Sequence, residues 1–201
     1  MLFRMGPHPT QRAAMPPPSV FRISRDTPAY YLTSLGHERL PVFQSDTIKQ
    51  IVCNALDEAR SSGGILIFAY VIMPDHSHLI TDSTRSSSDV LRFMNGITAK
   101  RVLDYLKANN FDSSLAKLRL QERERKHKYS LFEHHPNVFD VNNETTLMQK
   151  VNYIHLNPVR AGLVEHPDDY LYSSARQWHR RALGIEPLIT DHKCIRWRSA
   201  A

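Results

Sequence analysis

Residues 65–82, ILIFAYVIMPDHSHLITD, decide how the rest of the chain is read. The first nine are continuously apolar, with β-branched and aromatic side chains, which is the composition of a short central strand. Pro74 and Asp75 supply turn chemistry, and His76 to Asp82 continue as a second, hairpin-paired strand. In an extended chain, residues i and i+2 share a face. The spacing therefore projects His76 and His78 together, close enough to share one partner: a metal ion, a phosphate or water. Ser77 between them points to the other side of the sheet.

Working outward, Tyr30-Tyr31-Leu32-Thr33 is β-prone. Ser45 caps a helix through Ile48, Ile51, Val52, Ala55, Leu56 and Ala59, which Gly63-Gly64 end. Ser86 and Asp89 form a capping box for a helix over roughly 88–108, carrying Val90, Phe93, Met94 and Ile97. Residues 111–130 are polar and charged and read as a solvated helix or loop. A further strand is expected within 132–141. Asn143 caps a last helix, ETTLMQKVNYIHLN, and Pro158 is expected to end it, because the residue before proline disfavours the α region. The order β-α-β-β-α-β-α is the split βαβ, ferredoxin-like pattern, an α+β fold with an antiparallel sheet and helices on one face.

A length of 201 residues favours one domain with extensions. Five of the 12 prolines stand at positions 7, 9, 16, 17 and 18, so residues 1–25 are expected to be a flexible lead-in, 26–180 the domain and 181–201 a tail, with regular structure starting near Ala29. No run approaches the ~20 apolar residues of a membrane span, and the N-terminus lacks the apolar core of a signal peptide. Cys53 and Cys194 lie far apart and read as free thiols of a reducing cytoplasm. The net charge of +6 points to an anionic partner, nucleic acid first. There is no Walker or G-x-G-x-x-G loop, so no nucleotide cofactor is implied.

In the helix expected over 144–157, Leu147, Val151 and Ile154 form the apolar stripe. Tyr153 lies well off it, Asn157 follows one turn later, and Lys150 and Thr146 share that sector. On these residues alone, a partly buried structural tyrosine is the simpler reading.

Taken together, the blocks change that weighing. Tyr70-Val71-Ile72-Met73-Pro74-Asp75 before His76-Ser77-His78, then Tyr153-Ile154-His155 with Asn157-Pro158-Val159-Arg160-Ala161-Gly162-Leu163-Val164, then Tyr172-Ser173-Ser174, resemble the single-tyrosine HUH transposases, in their REP-associated branch. The resemblance spans roughly residues 29–178. Two departures stand out. Ser77 occupies the middle position where the family usually has a bulky apolar residue, and YSLFEHHP (129–136) replaces a Trp-Gln pair that relatives often carry.

The resemblance implies the HUH endonuclease fold and cleavage and rejoining of single-stranded DNA at hairpin-flanked sites, in a bacterial cytoplasm or nucleoid. Tyr153 would be the nucleophile, leaving a 5′-phosphotyrosine link and a free 3′-OH. His76, His78 and Asn157 would hold Mg²⁺ or Mn²⁺, which would neutralise charge on the scissile phosphate. Because an ordinary phenol has a pKa of about 10, the attack needs a cation or base nearby. Lys100, Arg101, Lys150 and Arg160 are expected to contact DNA. Arg123, Arg125, Lys126 and Lys128 are balanced between that role and a solvated surface shared with Glu122 and Glu124. Asp75 could steady a histidine, although a turn former needs no such role. Tyr30, Tyr31, Tyr70, Tyr105, Tyr170 and Tyr172 read as packing or capping residues. Monomer and homodimer are both left open.

Two other classes remain: a domesticated relative that binds hairpin DNA without turnover, and a metal-dependent phosphohydrolase or RNA-binding ferredoxin-like domain. The last leaves Tyr153 without a task and lacks the aromatic-rich strand that RNA readers of this fold use.

Overall fold

A computed structural model describes residues 20–120, 128–134, 136–181 and 192–197. The strands are β1 (Phe21–Ile23), β2 (Ala29–Leu35), β3 (Ile67–Ile72), β4 (His76–Thr81), β5 (Asn137–Val141) and β6 (Ile195–Trp197). The helices are α1 (Asp46–Gly63), α2 (Ser87–Ala108), α3 (Asp112–Lys117), α4 (Glu144–Arg160) and α5 (Ala175–Trp178). Each long helix starts where a cap was expected. Ser45 Oγ accepts from Ile48 N–H, Ser86 Oγ from Asp89 N–H and Asn143 Oδ1 from Thr146 N–H. At the end of α1, Gly64 takes φ +64°, the left-handed conformation that glycine adopts without strain.

The main sheet runs β3-β4-β2-β5, and every neighbouring pair is antiparallel. This is the α+β split βαβ arrangement. Alternation along the strands sorts the side chains. His78 of β4 lies opposite Thr33 of β2, and Tyr31 lies opposite both Ile80 and Phe139, so these residues share one face. Ser77 lies opposite Ser34, and Leu79 opposite Leu32, on the other.

The second face is covered by α1 and α2, and Ser34 Oγ donates to Asn95 Oδ1 of α2 at 2.9 Å. Helices on one face therefore describes α1 and α2 only. The last long helix, α4, crosses the histidine face, burying Leu147, Val151 and Ile154. The reason is spatial: α1 and α2 already fill one side, and the apolar stripe of α4 has the other left to cover.

Three further expectations are corrected. Pro158 does not end α4. It lies buried in the last turn, and the helix runs on to Arg160. Beyond it, Ala161 N–H donates to Asn157 O, Gly162 N–H to Val159 O and Leu163 N–H to Pro158 O, which closes the end. Regular structure begins at Phe21 rather than near Ala29, and the expected tail returns: β1 pairs in parallel with β6. Phe21, Ile23 and Ile195 are buried, and the Phe21 ring lies 5.6 Å from that of Phe68. Strands of three residues are too short to declare themselves by periodicity. Part of 111–130 is α3, and Arg123, Arg125 and Lys126 lie outside the described residues.

The free edge of β3 is covered by residues 172–174. Ile72 N–H donates to Tyr172 O and Ser174 N–H to Tyr70 O, while Trp178 Nε1–H reaches Phe68 O and Tyr170 Oη–H reaches Ile72 O. A bare strand edge invites pairing with another chain, and this strap closes it.

Candidate active site

The β3–β4 hairpin delivers His76 and His78 to one face, with ring centroids 4.8 Å apart. His78 is almost wholly buried and His76 partly so. In both rings Nδ1 is engaged. His76 Nδ1 lies 2.6 Å from Asp75 Oδ1. His78 Nδ1 lies 2.9 Å from the Tyr31 hydroxyl and 2.9 Å from the Thr33 hydroxyl. Thr33 is the directly opposed residue of β2, and Tyr31 is its neighbour on the same face. Among the described residues, Nε2 of each ring makes no hydrogen bond, which leaves it as the atom open to a ligand.

Electrostatics keeps His78 neutral. Burial, then repulsion from His76 and Lys150, lowers it to about 3 against the opposing pull of Asp75. Burial pushes the Tyr31 hydroxyl up to about 12, so it stays protonated beside the imidazole.

Helix α4 presents Tyr153 to this pair. Its ring stands edge-on to His78 at 5.4 Å and to Tyr31 at 6.3 Å, and it is 41% exposed. Asn157 lies one turn on, its Nδ2 donating to Tyr153 O at 3.0 Å, so its Oδ1 is the end left for other partners. Arg160 stacks over the Tyr153 ring at 5.2 Å. Lys150 Nζ lies 4.6 Å from the Tyr31 ring centroid and 4.5 Å from that of Phe139. The anchor of α4 is His155, buried two residues from Tyr153, whose Nε2 lies 2.9 Å from Ser174 Oγ. Among the described residues no three His, Cys, Asp or Glu side chains cluster as a metal site. Among the described residues, a third side-chain donor to an ion held by the two histidines would be of another kind.

Of the expected site residues, the fold brings together His76, His78, Tyr153, Asn157, Lys150 and Arg160. It does not bring Lys100 and Arg101. They lie on α2, across the sheet, where Lys100 pairs with Asp104 at 3.0 Å and Arg101 with Glu58 of α1 at 2.7 Å. Sequence reading missed Tyr31 and Thr33 as partners of His78. Nothing in YYLT announces that role, because it depends on which strand lies beside β4 and in what register.

The structure is similar to that of a REP-associated tyrosine transposase bound to a REP hairpin, with 19% identity over 82% of this chain and 87% of that one, at a TM-score of 0.54. The fold is that of a REP-associated tyrosine transposase. A solved structure described as a candidate transposase from Deinococcus radiodurans R1 is 20% identical over 73% of this chain and 95% of its own, at a TM-score of 0.43. No family model and no curated protein matches the sequence. Among the described residues, no helix is long and apolar enough to cross a membrane.

Proposed function

We propose that this protein cleaves and rejoins single-stranded DNA at hairpin-flanked sites, with Tyr153 as the nucleophile. The observation that carries the reading is the approach of Tyr153 to a histidine pair whose two Nδ1 atoms are already occupied. A tyrosine kept for packing would not be exposed on the one face where two imidazoles converge. The solved relative of the same fold is bound to a REP hairpin, which supports hairpin DNA as the partner.

The donor set suits a divalent ion, Mg²⁺ or Mn²⁺. A histidine ligand normally donates its other ring N–H to a carboxylate, a backbone carbonyl or water; here Asp75 supplies the carboxylate for His76, and the Tyr31 and Thr33 hydroxyls take that place for His78. In the tautomer whose Nδ1–H donates to those oxygens, both Nε2 lone pairs are available. Asn157 Oδ1 on the facing helix is the proposed third donor. The bound ion would offset charge on the scissile phosphate.

The chain's own residues do the rest. Tyr153 Oη attacks phosphorus and the P–O3′ bond breaks; the phenolic proton passes to the departing O3′, so the upstream segment leaves with a free 3′-OH while the 5′-phosphate of the downstream segment stays on the tyrosine. A second 3′-OH then reverses the step, restoring the phosphodiester and the phenol, so no external energy source is needed. Arg160, over the Tyr153 ring, and Lys150, beside Tyr31, meet the phosphates on either side.

The test uses purified protein, Mn²⁺ or Mg²⁺ and labelled single-stranded DNA from the flanks of its own gene. A labelled protein band on a denaturing gel that disappears with EDTA and in Tyr153→Phe supports the reading. An adduct that persists in Tyr153→Phe overturns the nucleophile. A mobility shift on a native gel without a covalent band instead favours a hairpin-binding protein without turnover.

A further inference from the structure

Phe139 of β5 is 47% exposed, although the sheet alternation puts it on the same face as Tyr31 and His78. A lone exposed phenylalanine is ordinary. Three features set this one apart. Lys150 bridges it to Tyr31, with Nζ 4.5 Å from one ring centroid and 4.6 Å from the other. Among the described residues Lys150 has no carboxylate partner, in contrast to Lys100 and Arg101. The rings also continue into the site, since Tyr31 stands 6.3 Å from Tyr153. An exposed apolar ring, a cation without a carboxylate partner among the described residues, and a tyrosine beyond them are neighbours in turn.

We infer that Phe139 is the stacking platform for a base flanking the reacting phosphate, and that Lys150 meets the phosphate next to that base. Aromatic side chains beside cationic grooves hold single strands in this way, and the contact tolerates sequence because every base has a flat face. The inference rests on the reading that single-stranded DNA is what Tyr153 meets. A second copy adding its own strand to the edge of β5 would cover Phe139 but leave Lys150 without an anion. A nucleotide supplies both.

The experiment uses the full chain carrying Tyr153→Phe, so that the strand stays intact, and a short oligothymidylate with one 5-iododeoxyuridine. Photocrosslinking mapped by mass spectrometry should mark Phe139. In fluorescence anisotropy, Phe139→Ala should weaken binding by about 5- to 100-fold, and Phe139→Trp should restore it. Circular dichroism melting checks that the exposed substitution leaves the fold intact. Unchanged binding in Phe139→Ala, or a change in sedimentation without a change in DNA affinity, overturns the inference and leaves the tyrosine reading standing. If the parent makes no covalent link yet the oligothymidylate still crosslinks at Phe139, the nucleophile reading fails, and with it the placing of this base beside a reacting phosphate, while the stacking contact stands.

Discussion

Tyr153 and His78 meet edge to face, their ring centroids 5.4 Å apart and their planes at 72°. One rides on a helix and the other on a central strand, so their meeting depends on α4 crossing the histidine face. The crossing is held at its buried end by His155 on Ser174, and the histidine is held from behind by β2.

That backing can be tested. Tyr31→Phe leaves the Thr33 hydroxyl on His78 Nδ1, and Thr33→Val leaves Tyr31, so each single change should weaken Mn²⁺ binding only modestly. The double variant strips both hydroxyls from a buried ring and should cost about 10- to 100-fold. Titration followed by electron paramagnetic resonance of free Mn²⁺ reads it directly. A double variant that binds Mn²⁺ as well as the parent would show that these hydroxyls do not orient His78.

The turn that carries Asp75 is braced by Gly36, whose N–H donates to Asp75 O at 2.7 Å. A Cβ at position 36 would stand 2.8 Å from Leu40 O and 3.0 Å from Asp75 O, both backbone atoms that move only with their loops. Gly36→Ala should therefore lower stability by about 1–3 kcal/mol, as overpacking does. It should also loosen the Asp75–His76 contact. A urea unfolding midpoint equal to that of the parent would mean the turn yields freely.

The sign of the His78 effect on stability follows from its shift. The usual value is 6.5, and the folded value is lowered to about 3. Between those limits the unfolded chain binds a proton that the folded chain does not, so stability is full above pH 6.5 and falls as pH drops toward 3. Denaturant melts in EDTA across that window should show the slope, and His78→Gln should reduce it. A slope that is the same in His78→Gln would assign the acid sensitivity to other groups.

Ser174 joins the strap to the tyrosine helix. Its Oγ accepts from Tyr70 N–H at 3.0 Å and lies 2.9 Å from His155 Nε2, with serine and histidine both buried. Ser174→Ala removes two hydrogen bonds made by buried groups and should cost about 1–3 kcal/mol. Covalent adduct formation, measured well below the melting range, should fall as well, because α4 is no longer pinned. Adduct yield unchanged in a destabilised variant would confine Ser174 to holding the strand edge.

Much of this was legible in local sequence. Ser45, Ser86 and Asn143 announced their helices because a capping side chain and the backbone N–H it meets lie within three residues of each other. His76 and His78 announced a shared face because a strand alternates, and Tyr153 and Asn157 announced a shared sector because a helix repeats. Pro158 misled because its local preference was outweighed by its burial in the last turn of α4. Phe21 and Ile195 were missed because neither short strand signals itself without the other.

The sequence by itself determined the three long helices, the strands of the main sheet and their order, the paired histidines and the tyrosine–asparagine step, since each is written in neighbours a turn or a pleat apart. Only the tertiary structure decided that α4 takes the face opposite α1 and α2, that Tyr31 and Thr33 stand behind His78, and that Lys100 and Arg101 lie across the sheet from Tyr153. Those relations join residues far apart in the chain. They are set by strand register and by which face still has apolar surface to bury, and no local pattern records either.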